Sequence, residues 1–177
     1  TTKRYTRDEM EMRAKDENYI TLYGKLEDKF GDNGIVSVVI GKRVKEECHI
    51  ELWIMSCRVL KRDMEYAMLD TLIETCQNKG IKKIRGFYYP TAKNAMVKDF
   101  YGKMGFSQVA CDASENSEWE LEISSSGKRM LNRCPCVINA VQSSLAAAAG
   151  SVMIRSGFGM SATSDVIASF SRYSDRS

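Results

Sequence analysis

The chain predicts an α/β domain: a mixed, mostly antiparallel sheet flanked by helices and built around one β-α-β crossover. Three observations carry that prediction. Residues 35–40 (IVSVVI) and 49–57 (HIELWIMSC) are strand-length runs rich in β-branched and aromatic residues, and the short polar stretch between them favours antiparallel neighbours. Between Arg62 and Lys79 the apolar period becomes four, with Met64, Met68, Leu72 and Cys76 in one row, Leu69 and Ile73 beside it, and Gly80 as a stop. Residues 81–89 return to a strand pattern closed by Pro90, so strand, helix and strand form one crossover unit.

The other elements follow in order. Thr6-Arg-Asp-Glu9 reads as a capping box ahead of a short helix over residues 7–17. Residues 19–26 alternate as a strand. Gly31-Asp-Asn-Gly34 is turn chemistry, with a substrate role for Asp32, Asn33 and Gly34 as the other reading, and residues 41–47 read as a polar loop. Thr91 is placed to cap an amphipathic helix whose stripe is Met96, Val97, Phe100, Tyr101 and Met104 and whose stop is Gly105. Strands over residues 106–111 and 118–123, joined by a hairpin loop, close the domain. A boundary falls at residue 124. Residues 1–124 are the folded domain, and residues 125–177 are a Ser/Ala-rich extension, partly helical or disordered, with alanine propensity favouring helix over 137–149.

Composition narrows the function classes. A chain of 177 residues suits one domain with a real core, and 26 basic against 23 acidic residues do not demand a nucleic-acid partner. The balance is uneven: residues 125–177 carry six basic side chains against two acidic ones, about +4, which leaves about −1 for the remainder. Six cysteines (Cys48, Cys57, Cys76, Cys111, Cys134, Cys136) lack framework spacing and several sit in apolar runs, as expected of buried thiols in a reducing cytosol. Cys134-Pro-Cys136 is too tight for a common zinc pair, so no metal is expected. The first residues hold no apolar signal core, and the longest uncharged stretch, 134–154, is too polar for a membrane span. A cytoplasmic protein without membrane or nucleic-acid partners is the expectation.

Element order and local motifs together resemble the GNAT acyltransferase superfamily, and more closely the GNAT-like C-terminal domain of FkbH-like proteins, which couple it to a HAD-type phosphatase domain. The phrases that carry the resemblance are Thr1-Thr-Lys-Arg-Tyr5, Phe30-Gly-Asp-Asn-Gly34, Met55-Ser-Cys-Arg-Val-Leu-Lys-Arg62, Tyr89-Pro-Thr-Ala-Lys-Asn94 and Phe100-Tyr-x-Lys-x-Gly-Phe106. They span Thr1 to about Ile123 in the expected order. In GNAT enzymes a strand runs into an Arg/Gln-x-x-Gly-x-Gly/Ala turn whose backbone N–H groups cradle a diphosphate at a helix start. Arg62 and Ala67 match that pattern, but Glu65 stands where the middle glycine belongs, and a carboxylate there repels a diphosphate and obstructs close backbone approach. The resemblance thus implies that Val59, Arg62, Ala67 and Asn94 hold the phosphopantetheine arm of a carrier protein, with coenzyme A or acetyl-CoA as the alternative cofactor. First-turn surface residues are the plain reading of Arg62 and Glu65.

The resemblance further implies that Tyr101 protonates a departing thiolate and that Cys57 carries the acyl group. A phenol is a neutral donor at pH 7, and a thiolate is strongly nucleophilic. Stripe packing for Tyr101 and a buried core thiol for Cys57 stay open beside those roles. His49, the sole histidine, is placed by period two on one face with residues 51, 53, 55 and 57, too far up the strand to pair with Cys57, and reads as a surface or satisfied residue. The function implied is the acyltransferase half of a system that moves a glyceryl group from 1,3-bisphosphoglycerate onto the pantetheine thiol of an acyl carrier protein, for methoxymalonyl-type extender units in polyketide biosynthesis. Acyl carrier protein and a HAD-type phosphatase domain are the partners implied. The rivals are a free-standing acetyl-CoA-dependent N-acetyltransferase and a non-catalytic carrier-docking module.

Overall fold

The computed structural model describes residues 5–28, 31–56, 63–92, 94–123 and 136–141. The order along the chain is α1 (Arg7–Lys15), β1 (Tyr19–Asp28), β2 (Gly31–Val44), β3 (Glu47–Met55), α2 (Met64–Asn78), β4 (Lys83–Tyr88), a 3-10 turn (Ala95–Val97), α3 (Phe100–Lys103), β5 (Ser107–Cys111), β6 (Ser117–Glu122) and β7 (Cys136–Val141). The described strands form one sheet in the order β5-β6-β4-β3-β2-β1-β7. β3 and β4 are parallel, joined through α2, and every other pairing is antiparallel. The mixed, mostly antiparallel sheet around a single crossover is therefore present as predicted. Among the described residues no helix is long and apolar enough to cross a membrane.

Helix α1 starts on the predicted capping box: Thr6 Oγ1 accepts from Glu9 N (3.3 Å) and Glu9 Oε2 accepts from Thr6 N (2.8 Å). It lies on one face of the sheet. There Met10 joins Val38, Ile40 and Leu52, ringed by Tyr5, Tyr19, Tyr23, Ile35 and Ile54. A polar clasp fixes it, since Tyr5 donates to Glu51 (2.6 Å) and the Arg13 guanidinium stacks 4.1 Å over the Tyr5 ring.

On the other face lies the larger core. Met64, Met68, Leu69, Leu72 and Cys76 of α2 bury against Ile20, Leu22, Leu26, Val39, Cys48 and Ile50, and the predicted four-residue row is the buried stripe of the helix. Each such side chain contributes about 1.5–3 kcal/mol on burial. Gly80 ends α2 with φ +70° as the stop signal required.

Four expectations are corrected. Residues 31–34 and 41–44 lie inside β2 rather than in loops, because the β1–β2 and β2–β3 ladders continue beyond the core. The left-handed preference of Gly34 (φ +70°) is spent on a register shift between Lys25 and Glu27, an irregularity within the ladder rather than a turn. The single helix expected after Thr91 is broken into the 3-10 turn and the four-residue α3, with no side-chain cap at either start, and Met96 of its predicted stripe is 78% exposed. Finally, residues 136–141 form a strand where alanine propensity favoured helix. Val137, Ile138 and Val141 suit a pleat, and β1 offers an unpaired edge that six backbone pairs close.

Candidate active site

The seam between β3 and β4 opens almost as soon as it forms. Pairing covers only Glu47↔Lys83, Cys48↔Ile84 and His49↔Arg85, although β3 continues to Met55 and β4 to Tyr88. Beyond His49 the two parallel strands part into a wedge. Its cause is visible in β3: Gly41 pairs with Ile50 but Ile40 with Leu52, so Glu51 is an extra residue that bends the strand.

The bulge also flips the alternation, which corrects the placement of His49 with residues 53 and 55 on one face. Cys48 and Ile50 face α2, whereas Leu52 and Ile54 face α1. Glu51 accordingly reaches Tyr5 on the α1 side, while Trp53 turns to the α2 side and meets Phe100 edge-on, with ring centroids 4.9 Å apart. Buried Trp53 Nε1 has no hydrogen-bond partner among the described residues.

Tyr101 enters the wedge from α3. It is 5% exposed, packed among Phe100, Phe106 and Trp119. Its ring packs against β4 at Gly86, where a Cβ would overlap Tyr101 Cε1, so only glycine permits the approach. The Phe87 backbone N–H, past the last β3 pairing, donates to the phenol oxygen. Burial pushes the phenol pKa far above its ordinary value and the Phe87 N–H opposes this in part, so Tyr101 is a neutral donor at every physiological pH.

Asn94 is spent otherwise. Its Oδ1 accepts from Thr91 N (2.7 Å) and from Tyr88 Oη (3.4 Å), and its Nδ2 donates to Tyr89 O (2.8 Å). The amide ties the loop after β4 into place beside the wedge. Residues 94 and 101 do not share one continuous helix. Ala67 is buried in the first turns of α2, facing the core. Cys57, Val59 and Arg62 lie outside the described residues, as do Phe30 of the Phe30–Gly34 phrase and most of the extension. Just beyond that stretch, Asp63 stands at the N-cap of α2 with φ 61° and makes no side-chain cap bond, and Glu65 follows in the first turn.

Gly86, Phe87 and Trp53 were missed in the sequence. A glycine in mid-strand is the one signal that could have pointed there, since it marks a close approach of another group.

A wedge-shaped gap with donors on its walls accepts an extended arm and meets a carbonyl or sulfur at its base. The residues present fit a pantetheine thioester on that count: a backbone N–H and a phenol at Phe87 and Tyr101, and an orphan indole N–H at Trp53. The described start of α2 is acidic and offers a diphosphate no side-chain cation there.

Comparison with solved structures defines the class: this is the GNAT fold. The E. coli ribosomal-protein-S18-alanine N-acetyltransferase is similar at TM-score 0.51 and 15% identity over 73% of this chain and 84% of its own. A candidate acetyltransferase of the GNAT family from Desulfovibrio desulfuricans is similar at TM-score 0.54 and 16% identity, over 66% and 76%. Ard1 from Thermoplasma volcanium is similar at TM-score 0.52 and 17% identity, over 70% and 84%. No protein-family model matches the chain, and no curated protein matches it in sequence.

Proposed function

We propose that the chain is a thioester-dependent acyltransferase that uses an acyl-coenzyme A and passes its acyl group to an amine. The observation that carries this reading is the Tyr101 phenol, held by the Phe87 N–H at the point where β4 leaves β3. Solved proteins that share the fold and are named as acetyltransferases support the donor and the acceptor class. In this reading Phe87 fixes the phenol, Trp53 and the wedge walls orient the arm, and Tyr101 donates its hydrogen bond to the sulfur as the C–S bond breaks.

An ordinary thiol has a pKa of about 8.5, below that of this phenol, so complete proton transfer is uphill and stabilisation by hydrogen bonding is the larger effect. Calorimetry with acetyl-CoA tests the reading: micromolar binding is expected, and no heat at millimolar ligand sinks it. Tyr101→Phe should bind acetyl-CoA normally and turn over about 10²-fold more slowly.

Asp63 and Glu65 at the start of α2 favour a second reading, with a donor that carries one phosphate instead of three. There the arm is the phosphopantetheine of an acyl carrier protein, and a HAD-type phosphatase partner supplies a glyceryl group from 1,3-bisphosphoglycerate. Cys57 would be the covalent carrier, with Val59 and Arg62 beside the arm. Intact-mass measurement with labelled bisphosphoglycerate, phosphatase and holo-carrier separates the outcomes. A glyceryl adduct lost in Cys57→Ala supports this route, and carrier loading that survives both Cys57→Ala and Tyr101→Phe leaves docking alone.

A further inference from the structure

The face of the wedge opposite Tyr101 holds an arrangement that acyl-donor binding does not use. α1 covers the sheet over β1, β2 and the later part of β3, whereas the strip over the start of β3, β4 and β6 carries Glu47, His49, Lys83, Arg85, Glu118 and Glu120. His49 sits at the last β3–β4 pair, at the vertex of the wedge. Its Nε2 is 3.0 Å from Glu47 Oε2, and Glu47 is also 3.0 Å from Arg85 Nε. The His49 hydrogen bond leads in holding the Glu47 carboxyl below its usual pKa, with Arg85 adding to it. A carboxylate at Nε2 selects the tautomer with Nε2–H donating, which leaves the Nδ1 lone pair as an acceptor.

Phe87 links the two faces. Its backbone N–H holds the Tyr101 phenol, and its ring meets the His49 imidazole at 5.6 Å. The same ring lines a pocket of about 220 Å³ with Tyr89, Ala110, Asn116, Ser117 and Glu118. Glu118 brings a half-exposed carboxylate, 3.8 Å from Arg85, and Tyr89 is 46% exposed. The Asp112 carboxylate at the pocket's end is already spent on Ser114 N, Asn116 N and Asn116 Nδ2. The nearby Glu51 carboxylate accepts from Tyr5.

We infer that this pocket binds the acyl acceptor, a small primary amine bearing an aromatic ring, and that His49 takes the proton from its ammonium group. The inference rests on the transferase reading above and names its acceptor. The ring sits against Phe87 and Tyr89, and Glu118 draws in the cation. The ammonium gives one proton to His49 Nδ1, and the freed nitrogen lone pair forms the C–N bond at the thioester carbonyl. The C–S bond breaks with its electrons on sulfur. The second proton shed as the amide forms goes to that sulfur, while Tyr101 hydrogen-bonds it, and His49 returns its proton to water. The charged groups around the imidazole are Lys42 opposite it on β2, Glu47 and Glu51 on β3, Arg85 on β4, Glu118 and Glu120 on β6, and Arg13 on α1.

The sole histidine makes the test direct, because imidazole ¹⁵N signals belong to His49 alone. Phenethylamine is the probe. The signals should move on its addition, and Glu118→Gln should weaken that response several-fold. His49→Gln should slow acetyl transfer to phenethylamine by about 10²-fold, the usual worth of a general base. Transfer to hydroxylamine, a nitrogen already neutral at pH 7, should change by less than about threefold, since no base is needed. Unmoved imidazole signals, no transfer to phenethylamine by the unaltered chain, or equal slowing with both nucleophiles each overturn the proposal. If acetyl-CoA binds while the imidazole stays silent, only the acceptor site falls. If the imidazole responds in a protein that takes up no acetyl-CoA, the transferase reading falls instead.

Discussion

Two seams of the same sheet behave oppositely. β2 and β3 pair from Val44↔Glu47 to Ser37↔Met55, and both flanks of that ladder are covered, by α1 on one side and α2 on the other. β3 and β4 pair at three positions and then part. The first seam spends its backbone groups on itself. The second leaves some to be met by side chains, and the Phe87 N–H goes to Tyr101. A strand pair that stays joined yields stability, and one that parts yields a place for chemistry, because buried polar groups must find partners there. One extra residue, Glu51, separates the two outcomes.

The sharpest way to press that contrast is to damage the closed half. Leu72→Ala empties a fully buried position against the antiparallel strands and should cost about 3 kcal/mol in urea unfolding, with acetyl-CoA affinity unchanged in the folded fraction. Tyr101→Phe inverts the pattern: its loss of about 10²-fold in kcat is about 2.7 kcal/mol at the barrier, whereas stability should fall by only about 1 kcal/mol as the Phe87 N–H loses its acceptor. Gly86→Ala strikes both properties at once. Its methyl group overlaps the Tyr101 ring, so about 2 kcal/mol of stability and most of the turnover should go together, and a variant with normal activity would refute the packing described.

Thr6→Ala removes the α1 cap, should cost about 1 kcal/mol, and should leave the wedge untouched. The smallest effect is electrostatic. The Glu47 carboxyl is held below its usual pKa, so its contribution is present above the ordinary carboxylate range and is lost as pH falls through the lowered value. Glu47→Gln should flatten that acid limb by lowering stability slightly in the neutral range, and should leave stability below the lowered value unchanged.

Much of the closed half was legible in sequence. The capping box at Thr6, the row from Met64 to Cys76 and the stop at Gly80 rest on local rules, and each sits where those rules put it. The wedge was not legible, because a bulge depends on how two strands meet. Period two carried through Glu51 puts His49 and Trp53 on one face, and only the pairing with Gly41 and Ile40 shows that they are on opposite ones. The helix expected from Asn94 onward failed for a related reason. The Asn94 amide bonds back to the loop after β4 instead of capping a helix, a competition that spacing does not reveal. Tyr101 could be named in sequence as a donor, but the glycine and the backbone N–H that seat it belong to a strand met only in the folded sheet.

The pairing of β7 with β1 carries a consequence for synthesis. Leu26 finds its partner only at Cys136, so the outer flank of β1 stays bare while everything between them leaves the ribosome. Bare strands of that kind recruit neighbours on crowded polysomes. Whatever shields β1 in that interval, β7 has to displace it.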